Sequence, residues 1–157
     1  MPSRSAGILL HRRRGDELEV LLVHPGGPFW SRRDAGVWSI PKGEYGADED
    51  PLQAARREFE EELGVAPPDG PLKDLGEIRQ RAGKLVRAWA LEGDLDAGAI
   101  TSDTFELEWP PRSGRLIEVP EVDRAEWFPL AAAREKILPA QVELLDRLAR
   151  IAPGAKR

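Results

Sequence analysis

GEYGADEDPLQAARREFEEELGV runs from Gly43 to Val65 and crowds negative charge into one short segment, with Glu49 upstream of Glu58, Glu60, Glu61 and Glu62. Its helix signals are complete. Asp50 is a good N-cap, Pro51 sits at the first helical position where no N–H is needed, and Gln53 completes a capping box. Leu52, Ala55, Phe59 and Leu63 recur at spacings of 3, 4 and 4, which makes one apolar face. Gly64 is a natural C′ residue. The pattern predicts a helix over Pro51–Leu63, lying with that stripe on a sheet. Glu58, Glu61 and Glu62, at i, i+3 and i+4, share another face, expected to point largely away from the core. Like charges so spaced cost roughly 0.2–0.5 kcal/mol per pair, so a cation is expected to compensate them. Hard oxygen donors beside a Gly-rich loop suit Mg²⁺ or Mn²⁺, and such an ion points to hydrolysis of a phosphoanhydride. The same spacing is also that of a solvated, Glu-rich helix face.

Outward from this segment the chain reads as strands, then terminal helices. Ser5–Leu10 and Leu18–His24, joined by a turn at Arg14-Gly15-Asp16, predict an antiparallel hairpin. Pro25–Gly36 is a loop with an aromatic pair, Phe29-Trp30. Val37–Ile40 reads as a short strand stopped by Pro41. Beyond the helix, Leu75–Gln80 and Lys84–Glu92 predict a second hairpin, and Thr104–Trp109 alternates as a half-exposed strand. Arg115–Val119 and Ala125–Phe128 are short strands around an acidic loop, Pro120–Asp123. Leu130–Leu138 and Ala140–Ile151 are amphipathic helices, and 153–157 is a frayed tail. The order implies an α+β layered fold in a single domain over 1–157.

Composition narrows the class. With 157 residues, 41% hydrophobic and 32% charged, the chain can bury a core and stay in water. It contains no cysteine, which excludes disulfides, thiolate metal sites and a cysteine nucleophile, and fits a cytoplasmic setting. No run is long enough for a membrane span or a secretion signal. The net charge of -5 argues against a stable nucleic-acid complex. Before Gly43, Arg4, Arg12, Arg13, Arg14, Arg32, Arg33 and Lys42 face only four acids, and the next segment reverses the sign. A basic flank beside an acidic helix suits a metal with a polyphosphate, and equally a solvated charged surface.

Taken with its spacing, the segment resembles the Nudix box, G-x5-E-x7-R-E-U-x-E-E-x-G-U, where U is a bulky apolar residue. Gly43, Glu49, Arg57-Glu58-Phe59, Glu61-Glu62 and Gly64-Val65 meet every fixed position, with Phe59 where an aliphatic residue is more usual. The resemblance implies an α/β/α sandwich on a mixed sheet and a pyrophosphohydrolase using Mg²⁺, or Mn²⁺. It implies that Glu58, Glu61 and Glu62 bind metal, with a backbone carbonyl of Lys42 or Gly43, while Arg57 orients a carboxylate such as Glu49. A further acid from beyond the box often serves as ligand or base. Asp103, Glu106, Glu108, Glu118 and Glu121 are available, and Glu106, on one face of an alternating strand, is the acid expected at the site.

The substrate implied is a small-molecule nucleotide carrying a diphosphate, most simply a nucleoside triphosphate or dinucleoside polyphosphate. Lys42, Arg32, Arg33 and Arg87 are the candidates for its phosphates, and Trp30 for its base. Trp38 and Trp89 fall within strands and read more simply as core. Some subfamilies carry a Pro (ADP-ribose) or Tyr (dinucleoside polyphosphate) marker after the box; Gln80–Gly83 has neither. A monomer or a homodimer is expected. The alternative is a module that binds a nucleotide without cleaving it.

Overall fold

The computed structural model describes residues 3–152. The chain begins with strand β1 (Arg4–Arg14), turned by Gly15-Asp16 into antiparallel β2 (Glu17–Pro25). Gly15 takes the left-handed conformation that this tight turn requires (φ 61°). The short β3 (Lys42–Glu44) leads into helix α1 (Pro51–Leu63). Next come the antiparallel pair β4 (Leu72–Arg79) and β5 (Leu85–Glu92). A separate ribbon, β6 (Thr104–Glu108) with β7 (Leu116–Pro120), precedes β8 (Val122–Pro129), α2 (Leu130–Lys136) and α3 (Val142–Ile151).

The main sheet runs β4-β5-β1-β2-β8, with β3 added beside β1. β1 and β5 are parallel and the other pairs antiparallel, so the sheet is mixed. Side chains alternate along each strand and divide the core into two layers. Ala6, Ile8 and Leu10 of β1, Leu21 and Val23 of β2, and Trp89 and Leu91 of β5 pack with Ala54, Ala55, Phe59 and Leu63 of α1. Leu9, Leu18, Val20, Leu22, Val86, Ala88 and Ala90 face the other way, onto Leu130, Ala133, Leu144, Leu145 and Leu148 of α2 and α3. This is the α/β/α sandwich that the box implies. Both early hairpins form as expected, and Trp38 and Trp89 are core residues.

Several expectations change. Val37–Ile40 is not a strand. Trp38 and Ser39 make isolated bridges to Ile137 and Val23, in opposite senses. Gly36 turns the backbone just before (φ 76°) and Pro41 has no N–H to extend a ladder, so the segment cannot follow one partner. Buried Gln141 holds it instead: its side-chain oxygen accepts from Ile40 N at 3.1 Å, and its amide donates to Ser39 Oγ at 3.0 Å. Lys42–Glu44, read within a loop, pairs with Ser5–Gly7. The acidic loop shrinks, because β7 ends at Pro120 and β8 starts at Val122. The penultimate helix ends at Lys136, and the last begins at Val142 after a 3₁₀ turn over Pro139–Gln141. The tail, 153–157, lies outside the described residues.

β3 reaches β1 through Gly7. A Cβ there would lie 2.5 Å from Pro41 O and 2.8 Å from Lys42 Cβ, so any side chain would push β3 off the sheet. Gly7→Ala is expected to destabilise the protein by about 1–3 kcal/mol, as overpacked positions do, read as a lowered urea midpoint with an unchanged slope.

Candidate active site

α1 forms as its sequence requires. The Asp50 side chain accepts from Gln53 N at 3.2 Å, and Gly64 (φ 76°) returns its N–H to Glu60 O at 2.7 Å. The acidic face, however, is not turned to solvent. Glu58 is only 8% exposed. β3 lies across this face, and Gly43 makes that possible: a Cβ on it would fall 1.6 Å from Glu58 Oε1. One residue earlier, Lys42 N donates to Glu62 Oε1 at 3.2 Å. Glu58 and Glu62 therefore sit in the seam between helix and strand, with Glu61 half-buried beside them.

Arg57 gathers the acids from the open side. Its Nε and Nη2 meet the two oxygens of Glu49 at 3.0 and 3.1 Å, a bidentate pair. Its Nη1 lies 3.0 Å from Glu58 Oε2 and 3.4 Å from Glu61 Oε1.

The far end of α1 brings in one more acid. Thr101 N donates to Leu63 O at 3.0 Å and Asp103 N to Glu61 O at 2.9 Å, satisfying carbonyls that a helix end leaves open. Glu121 N in turn donates to Asp103 O at 2.9 Å, and Gly26 N to Glu121 O at 3.0 Å. Glu121 thereby joins the glutamates of α1, close enough for their charges to act on one another.

Burial and mutual repulsion leave these carboxyls short of positive charge. Burial pushes the Glu62 carboxyl up to about 8, with the Lys42 N–H and ammonium countering only in part. Glu58 is raised by burial and then by Glu61, and Glu121 by burial, Asp103 and Glu61. Burial lowers Lys42, against the opposing pull of Glu62. Among the described residues no three acidic or histidine side chains already form an ion-holding group; Arg57 occupies Glu58 and Glu61. The donor set fits a hard divalent ion by its chemistry, as crowded carboxylates with raised proton affinity, and not as a preassembled cage.

Lys42, Glu62, Glu121 and Trp30 line one cleft of about 240 Å³, floored by Ile40 and Leu138. Arg33 stands nearby, its guanidinium 4.7 Å from the Phe29 ring and 5.5 Å from the Trp30 ring. Arg32 is exposed on the same loop. The other predicted residues do not join the cleft. Arg87 pairs with Asp74 at 2.8 Å and lies over Trp89. Glu106 stands exposed on the ribbon, opposite Glu118. Glu121 was only one of five candidate acids in the sequence. The residue that signals it is Pro120, which ends β7 and places the next side chain at the junction with β8.

A family model described as NUDIX domain matches residues 1–148, and the chain belongs to that family. Among curated proteins, an octanoyltransferase of Myxococcus xanthus is 33% identical over 138 residues, 87% of this chain and 33% of that protein. An RNA pyrophosphohydrolase of Cellvibrio japonicus is 42% identical over 52 residues, 32% of this chain and 31% of that one. The chain thus spans about a third of the length of the curated relatives it matches. Among solved structures, a C. elegans Ap4A hydrolase binary complex aligns with TM-score 0.67 and 22% identity over 97% of this chain and 98% of that one. The NUDIX domain of Shewanella oneidensis NrtR, complexed with ADP ribose, gives 0.66 and 19% over 96% and 88%. These likenesses establish the fold. No helix among the described residues is long and apolar enough to cross a membrane.

The raised Glu62 carboxyl makes stability depend on pH. Its folded value of about 8 exceeds the ordinary 4.5, so between those limits the folded state holds more protons than the unfolded state. Stability then falls as pH rises through that window. In EDTA the urea midpoint should drop across it, and Glu62→Gln should flatten the dependence.

Proposed function

We propose that this chain is a Mg²⁺-dependent hydrolase of a phosphoanhydride in a nucleoside diphosphate linked to another moiety, an NTP or a dinucleoside polyphosphate being the simplest forms. The observation that carries the reading is the crowding of Glu58, Glu61 and Glu62 on one face of α1, with Glu62 opening into the cleft that Lys42, Trp30 and Glu121 also line. The names of the RNA pyrophosphohydrolase and the Ap4A hydrolase support the same reaction class. With no cysteine to protect, the chain suits a cytoplasmic nucleotide pool.

The residues divide the work. Glu58, Glu61 and Glu62 would hold the divalent ion, with a carbonyl of Lys42 or Gly43. Such an ion, when bound, polarises a phosphoryl oxygen and acidifies a water. The Lys42 ammonium offsets phosphate charge inside the cleft. Trp30 offers a ring face to the base, with Arg33 behind it. Water adds to phosphorus as the bridging P–O bond breaks, and its proton passes to a carboxylate. Glu121, poised at the cleft with a raised proton affinity, suits that role better than Glu106 on the exposed ribbon. Arg57 fixes Glu49 and restrains Glu58 and Glu61.

The second reading is a module that binds a nucleotide without cleaving it, favoured by the fold likeness to a NUDIX domain holding ADP ribose. A panel of nucleoside triphosphates, dinucleoside polyphosphates, ADP-ribose and 5′-triphosphorylated RNA, assayed with Mg²⁺ and Mn²⁺, separates the two. At least one member should release a nucleoside mono- or diphosphate or, from the RNA, pyrophosphate. Glu61→Gln should lower that rate on the order of 100-fold, the scale of losing one transition-state stabilising group. An unchanged rate in Glu61→Gln would remove the metal assignment, and a wholly uncleaved panel would leave the binding module.

A further inference from the structure

His24 is fully buried at the end of β2, and both of its ring nitrogens are engaged. Nδ1 lies 2.9 Å from Asp123 Oδ1, and Nε2 lies 2.6 Å from the carbonyl oxygen of Arg33. A backbone carbonyl only accepts. Asp123 keeps a third of its side chain in solvent and, as a carboxylate, also only accepts. A neutral imidazole has one N–H and would leave one of these short contacts as oxygen against a lone pair. Two acceptors therefore require two N–H groups, an imidazolium.

The remaining charges around the ring are mixed, so the two hydrogen-bond acceptors decide its state. Its edge meets Trp38 (centroids 5.1 Å apart), whose indole N–H goes to Asp34 at 2.8 Å, and Asp34 is bound by Lys136. The Arg124 guanidinium, from the residue opposite His24 on β8, lies 5.1 Å from the Trp38 ring. Arg124 and Lys136 oppose a positive ring, Asp34 is spent on Lys136, and the directly bonded Asp123 favours it.

The two partners sit just behind two different stretches of the cleft lining, Arg33 three residues after Trp30 and Asp123 next to Val122. Arg33 carries the guanidinium that covers Phe29 and Trp30, and its N–H donates to Trp30 O at 2.9 Å. Asp123 is two residues beyond Glu121. We infer that His24 is a positioning residue held as an imidazolium, which ties the Trp30 loop to the Glu121 segment and so sets the width of the substrate cleft. The cleft assignment rests on the function proposed above; the proton count does not.

The chain has two histidines, His11 and His24, so ¹⁵N spectra of the whole protein resolve both rings. At pH 7 both nitrogens of His24 should carry protons. Asp123→Asn, which can donate to Nδ1 through its amide, should strip the proton from Nδ1 and leave Nε2–H. A single N–H on His24 in the unaltered protein overturns the inference, including the case where Asp123 holds the proton. His24→Gln cannot donate to both sides. It should shift the Trp30 indole N–H signal while leaving the amide signals of Ala54–Phe59 in place. With Mg²⁺, and on whichever of ATP and diadenosine tetraphosphate is cleaved, it should raise KM about tenfold with kcat within about twofold, the scale of one lost hydrogen bond. An unmoved Trp30 signal, or an unchanged KM, removes the positioning role. If His24→Gln does not fold, the ring spectra of the unaltered protein and of Asp123→Asn decide. If neither nucleotide is cleaved, KM is read on whichever panel member is; a wholly uncleaved panel ends the proposed function while the spectra still decide the inference.

Discussion

A carboxylate leaves water only where something offsets its lost hydration, and this fold buries one, Glu58, and partly buries another, Glu62, at one seam. Glu58 and Glu62 fit between α1 and β3 because Gly43 has no side chain, and the space where a Cβ would stand is filled by Glu58 Oε1. What offsets the burial is partial: one backbone N–H from Lys42, its ammonium, and one arm of Arg57. The seam is thus left with an unmet demand for positive charge. That demand, more than the number of glutamates, distinguishes the site from a solvated helix face.

The surrounding structure exists to hold that seam shut. Gly7 lets β3 lie against β1, and Gln141 fixes Ile40 just ahead of it. Phe59 and Leu63, fully buried, anchor α1 to the sheet. Residues 101–103 close the carbonyl end of the helix and carry Glu121 to it through a single backbone bond. Each of these is a short-range steric or hydrogen-bond condition, and together they bring residues far apart in the chain to one cleft.

The central helix was legible because its signals are local. The cap, the proline, the apolar stripe and the terminal glycine all act within one or two turns, and α1 has the ends that they predict. The layered fold followed from strand alternation and element order. What could not be read depends on partners remote in sequence. Lys42–Glu44 becomes a strand only because Ser5–Gly7 lies beside it, and Val37–Ile40 fails to become one because its neighbours pull in different directions. Of the substrate candidates, Lys42 and Trp30 meet at the cleft while Arg87 is committed to Asp74. Glu106 lies mid-strand on the exposed ribbon, while Glu121 follows Pro120 at the β7–β8 junction, and it is the path of the chain there that brings Glu121 to the cleft. His24 gives no signal in sequence at all, since its meaning lies in two oxygens contributed by other segments.

The ribbon β6–β7 has a further consequence. It is hydrogen-bonded as its own two-stranded sheet, apart from the main one, and it enters and leaves the body next to Asp103 and Glu121. Its exposed Phe105 and Leu116 project from a hairpin whose length the core does not constrain. A change in the length of such an arm need not disturb the seam. The fold therefore joins two kinds of construction: a seam fixed by close backbone contacts, and an arm tied to the body only at its two ends.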